Sequence, residues 1–288
     1  MKRNTYPIFW LALCLVFLGA CAKGKAEERY YSPEDQAIFA RYLSTMQAKK
    51  DLPTDQLIVE AALFFLGTPY VGATLEKEPE GLVINLREMD CSTFVENVIS
   101  LTQTLQSEDP SFDTFCRNLQ HLRYREGRIT DYTDRLHYTS DWIYVNARKG
   151  LVKDVTKEIG GKPLDLNLSF MSTHPESYKQ LNGNPERIAR IEMKEKEISS
   201  RSYFYIPEEE IDARSREIKS GDMIGFVTTI NGLDLSHVGI AYWQNDELIF
   251  IHASSSAAKQ VIINKESLSA YVKRIKSNKG VMIVRLLP

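Results

Sequence analysis

Asp90-Cys91-Ser92-Thr93-Phe94-Val95-Glu96 opens a segment whose apolar residues fall at Phe94, Val95, Val98, Ile99, Leu101 and Leu105. That recurrence predicts a helix with one buried face. Two N-caps fit its start: Asp90 capping directly, or Thr93 with Glu96 three residues on as a capping box. Either way Cys91 stands at or just before the first turn, where unpaired N–H groups and the positive end of the helix dipole favour an anion. A cysteine there is expected to titrate below its usual value of about 8.5, in the range of roughly 3.5–7.5, and the thiolate is the nucleophile.

The far end of the chain supplies partners for that thiol. Asp222-Met223-Ile224-Gly225-Phe226-Val227 reads as a strand, and Asn231-Gly232 is a turn signal. His237-Val238-Gly239-Ile240-Ala241-Tyr242 and Leu248-Ile249-Phe250-Ile251-His252 read as two more, joined through a hairpin turn at Asn245-Asp246. Val261–Ile263 and Val281–Val284 complete a predicted antiparallel sheet. In such a hairpin His237 and His252 lie at the same end of the sheet. A cysteine at a helix start facing that end makes a Cys–His–His arrangement, with His237 taking the thiol proton and His252 holding its tautomer.

Two other uses of these residues compete. A zinc site of Cys91, Cys116, His237 and His252 lacks the usual Cys-x-x-Cys or His-x₃-His spacing. A Cys91–Cys116 disulfide would remove the nucleophile and leave a binding protein. His121, His137 and His174 have no patterned partners and receive no role.

Ahead of the cysteine, residues 33–50 and the segment after Pro53 keep helical spacing, and Gly67-Thr68-Pro69-Tyr70-Val71-Gly72 ends the second helix. Residues 112–122 read as helical, and Asp141 is placed to cap a helix running through Trp142 that stops before Gly150. The stretch 160–201 reads as loop-rich, with the charged run from Glu192 to Glu197 as a solvated face or loop. Helices first and strands later predict an α+β fold.

At the other end, Lys2 and Arg3 precede an apolar run from Pro7 to Ala20, which is short for a membrane span but suits a signal peptide. Leu18-Gly19-Ala20-Cys21 resembles the lipobox of bacterial lipoproteins. That resemblance implies removal of residues 1–20, lipid on Cys21, and a protein of the bacterial cell envelope anchored to a membrane, facing the periplasm. Loss of the signal removes two positive charges and no negative one, taking the formal net charge from −2 to −4. No basic stripe is present, so nucleic acid is not an expected partner. Residues 21–32 read as a tether, and residues 33–288 as a single domain with long insertions.

Gly67-Thr68-Pro69-Tyr70, Asp90-Cys91-Ser92, Gly221-Asp222, Ser236-His237-Val238-Gly239-Ile240 and Phe250-Ile251-His252-Ala253 resemble the papain-fold NlpC-type cell-wall hydrolases. Leu86 to Asn97, His137-Tyr138-Thr139-Ser140-Asp141-Trp142 and Ile251-His252-Ala253-Ser254-Ser255 resemble their N-acetylmuramoyl-L-alanine amidase-like branch. The likeness spans most of residues 55–288. It implies a papain-like fold and a cysteine amidase acting on peptidoglycan fragments, with no metal or other cofactor. Cys91 would be the nucleophile, His237 the base and His252 the third member; Tyr70, Ser140, Asp141 and Ser236 would contact substrate. A D-glutamyl-diamino acid endopeptidase is the alternative within the fold. Two features depart from the commonest pattern: Thr93 replaces a glycine, and 145 residues separate Cys91 from His237. The insertion is expected to build pocket walls that select a particular fragment.

Overall fold

The computed structural model describes residues 28–256 and 258–288. The signal segment, Cys21 and most of the tether lie outside them. Helices α1 (Pro33–Met46), α2 (Thr54–Phe64), α3 (Cys91–Gln106), α4 (Phe112–Arg123) and α5 (Thr139–Arg148) precede α6 (Phe170–Thr173), α7 (Pro185–Ser199), α8 (Ile211–Arg214) and α9 (Leu268–Arg274). A short pair, β1 (Arg29–Tyr30) and β2 (Leu82–Val83), runs parallel. The strands β3 (Val152–Asp154), β4 (Lys162–Leu164), β5 (Tyr203–Pro207), β6 (Met223–Thr228), β7 (Leu235–Gln244), β8 (Glu247–Ser254), β9 (Gln260–Ile263) and β10 (Asn278–Leu286) form one antiparallel sheet. Its order is β4-β5-β10-β6-β7-β8-β9, with β3 also on β10. The α+β expectation holds.

Local chemistry sets the elements that matter for the site. Asp90 is the N-cap of α3: its carboxylate accepts from Thr93 N at 2.8 Å, and Thr93 Oγ1 accepts from Asp90 N at 2.9 Å. Glu96, the alternative capping partner, instead accepts from Arg123 Nε at 2.7 Å, while Arg123 Nη1 donates to Val83 O at 2.6 Å. Helix α3 is buried on every side from Thr93 to Thr102, not on one face. It runs through the middle of the molecule, packed on α2 and α4 and against β7 and β8. Its polar residues tolerate this because they are paired locally, as where the Thr102 and Thr104 hydroxyls donate to the carbonyls four residues back. The β7–β8 hairpin turns at Asn245 and Asp246, both with positive φ (49° and 62°), the conformation that matches strand twist in a two-residue turn.

Helix α7 corrects the loop-rich reading. Ile191 and Ile198 are buried at helical spacing, but the ladder is interrupted by Glu195, also buried. Glu195 Oε1 accepts from Tyr138 Oη at 2.6 Å and from Ser172 N at 3.1 Å. A polar residue thus occupies a core rung. The rest of the charged run is a solvated face, as expected, with Glu192 and Lys196 paired one turn apart.

Candidate active site

Cys91 is the first residue of α3, half-buried against β7. The backbone at Ser92 and Val238 and the Ser92 side chain lie near enough to the sulfur to favour its charged form. These contacts favour a thiolate, but burial, and then the Asp90 charge, outweigh them and push the thiol up to about 12. The expectation of a low-pKa thiolate is therefore corrected. The helix dipole is a surface-scale effect that fades within one turn, whereas packing against the sheet costs a thiolate much of its hydration. Alkylation of Cys91 by iodoacetamide is accordingly expected to be slow at neutral pH and to keep rising about tenfold per pH unit through pH 9 without a plateau, since only the thiolate reacts. Labelling that saturates below pH 8 would contradict this environment. Cys116 lies in the core and is also free, so no bridge joins the two thiols.

The register of β7 on β8 pairs Ile240 with Ile251, which brings His252 beside Gly239 and on the same face as His237. His237 Nε2 and His252 Nδ1 are 2.6 Å apart, with the rings edge to face. Gly239 leaves room for this contact, since a Cβ there would stand 3.3 Å from His252 Cβ and 3.0 Å from Ile251 O. Phe226, Phe250 and Tyr271 surround the pair with aromatic surface. Burial lowers His237 to about 4, and burial together with His237 lowers His252 to about 3. His252 Nε2 is buried without a partner among the described residues.

The Gly67–Val71 segment is stitched to both halves of the site. Gly67 N donates to Val261 O, Tyr70 N to Lys259 O, and Val71 N to Met89 O just before the cysteine. Tyr70 sits beside the thiol; burial and then the Cys91 charge push its phenol up to about 12.

Cys91, Ser92, His137, Ser236 and His237 line a common cavity of ≈ 180 Å³. A second, of ≈ 210 Å³, shares Ser92, His137, Thr139 and Val238 with it. Ser236 stands at the rim, its hydroxyl donating to Asn278 Oδ1 at 3.0 Å.

Two sequence-derived substrate contacts are placed elsewhere. Ser140 and Asp141 are 0% and 1% exposed. Asp141 does not cap α5, which starts at Thr139 with Tyr138 as N-cap; its carboxylate lies between the guanidiniums of Arg125 and Arg201 (Arg201 Nη1 at 2.7 Å). The capping role passes to Asp234, a buried carboxylate next to β7 that accepts from Ser140 N at 2.7 Å. Asp141 is thus a structural ion-pair centre. Asp141→Ala leaves the Arg125 guanidinium without the carboxylate that pairs it and Arg201 with only its exposed partner Glu197, and is expected to cost roughly 3 kcal/mol in denaturant unfolding. An unchanged stability would restore a substrate role.

His137 is the residue that sequence reasoning missed. Its Nε2 stands 3.0 Å from Tyr132 O, and its ring packs on Tyr132. The carbonyl can only accept, so Nε2 carries the proton and Nδ1 is a lone-pair acceptor. Burial and the nearby Arg135 lower its pKa to about 3. Among the described residues no group of three or more His, Cys, Asp or Glu is placed to hold a metal ion.

The AmiA-like family model, described as N-acetylmuramoyl-L-alanine amidase-like, matches residues 60–281. A crystal structure of an N-acetylmuramoyl-L-alanine amidase from Bacteroides uniformis is 38% identical, with a TM-score of 0.78, covering 82% of this chain and 99% of that one. A Bacteroides fragilis structure, provisionally called a xylanase, is 41% identical (TM-score 0.75; 79% and 100% covered). A Legionella pneumophila protein is similar at 25% identity (TM-score 0.67; 88% and 95% covered). No curated protein matches the chain.

Proposed function

Because the chain belongs to the AmiA-like, N-acetylmuramoyl-L-alanine amidase-like family, we propose that it hydrolyses the amide between the muramic acid lactyl group and L-alanine in soluble peptidoglycan fragments. Cys91 is the nucleophile, His237 the general base and His252 the third member, on a papain-like NlpC-type scaffold. The observation that carries this reading is the 2.6 Å His237–His252 contact, made by a ring that lines a common cavity with the thiol.

The tautomers follow from the role. For His237 to accept the thiol proton at Nδ1, its Nε2 must carry hydrogen and donate to His252 Nδ1. The environment favours a neutral thiol beside neutral imidazoles, so the proton moves as sulfur attacks the lactyl carbonyl instead of before it. The tetrahedral oxyanion forms near the start of α3, where free N–H groups are available. His237 then returns the proton to the departing L-alanine nitrogen, leaving a thioester. Water, deprotonated by the same imidazole, releases the acid and restores the thiol.

The xylanase name of one relative does not transfer. Glycosidic cleavage uses two carboxylates flanking the scissile bond. The carboxylates beside Cys91 are otherwise engaged: Asp90 and Asp234 cap helices, and Glu76 and Glu96 pair with arginines. For the N-terminus we propose lipidation at Cys21 and a membrane-anchored place in the cell envelope, on the lipobox alone; Cys21→Ser should release the protein from the membrane fraction.

Defined muropeptides decide the substrate. The purified protein is expected to release a free peptide beginning with L-alanine from an N-acetylmuramoyl peptide, and to leave the sugar-free stem uncut. Cleavage of the sugar-free stem between D-glutamate and the diamino acid would assign the endopeptidase instead.

A further inference from the structure

The ≈ 210 Å³ pocket adjoining the thiol has two kinds of polar wall. One is already satisfied. Arg123 is paired with Glu96 and Val83 O; Arg135 is paired with Glu76 and Glu80 and donates to Leu75 O. The lining carboxylates of Glu76, Asp90 and Glu96 against the guanidiniums of Arg123 and Arg135 leave a surplus negative charge, so a carboxylate of the peptide stem is not what this pocket attracts.

The other kind is neutral and unused. Trp142 is 5% exposed, and its indole N–H has no partner among the described residues. An unpaired buried donor costs about 1–3 kcal/mol, so a ligand carbonyl in reach of it is strongly favoured. His137 supplies the complement: with Nε2 fixed on Tyr132 O, its Nδ1 is held as an acceptor on the wall shared with the thiol cavity. Ala73, Leu75, Val95, Leu136 and Met223 add apolar surface. A fixed donor, a fixed acceptor and an apolar lining complement a secondary acetamide, which presents one carbonyl, one N–H and a methyl. On muramic acid that group sits on the ring carbon next to the lactyl ether, close to the scissile carbonyl.

We propose that this pocket binds the N-acetyl group of the muramic acid, with the Trp142 indole N–H donating to its carbonyl and its N–H donating to His137 Nδ1. The proposal rests on the amidase reading above. Glu76 Oε2, also buried without a partner among the described residues, remains for a sugar hydroxyl. His137 and Trp142 are thus specificity determinants that touch the substrate away from the bond being broken.

The test compares an N-acetylmuramoyl peptide with its de-N-acetylated counterpart, on the wild type, Trp142→Phe and His137→Gln. Phe keeps the ring without the N–H; Gln keeps a donor for Tyr132 O but carries its acceptor on the same amide, away from the position of Nδ1. The wild type is expected to prefer the acetylated substrate in kcat/KM. Each variant should lose about tenfold on that substrate, change little on the other, and so collapse the preference. Structural damage would lower both rates alike. Equal rates on the two substrates, or a preference untouched in both variants, would overturn the pocket assignment while leaving the amidase reading intact. A wild type inactive on every muropeptide would instead overturn the amidase reading and this inference with it. If one variant fails to fold, as thermal unfolding would show, the other carries the comparison.

Discussion

Cys91→Ala is expected to lower muropeptide cleavage by on the order of 10⁴–10⁶-fold, the scale on which loss of a covalent nucleophile acts, because the residual rate draws only on binding and oxyanion stabilisation. The substitution should leave the fold intact. Cys91 contributes a half-buried sulfur at the first position of α3, while the start of that helix is secured by the Asp90–Thr93 reciprocal cap, which does not involve the thiol. Substrate should therefore still bind the variant, and its thermal unfolding should change by no more than a few degrees. A variant retaining more than about a hundredth of the activity would mean that another group attacks the carbonyl, and the covalent route would be wrong. Mass spectrometry of the wild type mixed with substrate and quenched in acid should find the muramoyl thioester on Cys91 and none on Cys116.

The two histidines are expected to respond differently. His237→Ala removes the proton acceptor and should cost about 10²–10⁴-fold in kcat, the usual range for a general acid–base residue. In the proposed mechanism His252 acts only through its contact with His237, so His252→Gln or His252→Asn, which keep a hydrogen-bonding group, should retain more activity than His252→Ala. The acid limb of the rate profile provides a second check. Both imidazoles are held below their usual 6.5, at about 4 and about 3, by burial. Protonation inactivates the base, so activity should persist as pH falls below 6.5 and decline only near 4. Stability carries the same sign: the unfolded chain takes up these protons first, so the folded state loses stability from about pH 6.5 downward. A rate that halves at pH 6.5 would place the base in solvent rather than among Phe226, Phe250 and Tyr271.

Where a structural feature is written in neighbouring residues, the sequence was readable. The start of α3 is a four-residue cap, the β7–β8 hairpin is a two-residue turn between alternating strands, and both histidines follow from that register. Features set by distant residues were not readable. The carboxylate of Asp141 is held by arginines 16 and 60 residues away. Helix α7 hides behind Glu195, whose partner Tyr138 is 57 residues back. His137 is fixed by the carbonyl of Tyr132, a group every residue carries and no motif can mark. The thiol's titration was misjudged for the same reason, since the helix start is local but the strand that buries it lies 145 residues on.

Asp234 joins parts of the molecule that a shorter chain would not need to join. Its carboxylate holds the first turn of α5, the helix that carries Trp142, and it stands three residues before His237. The wall proposed to meet the sugar and the imidazole proposed as the base thus share one fastening, sealed from solvent. Swinging α5 aside to admit a misshapen fragment would strain the Ser140 N–Asp234 bond and, through it, the start of the strand that carries His237. Imperfect guests should consequently be punished in turnover as well as in affinity, a form of proofreading that comes from stiffness and needs no second site.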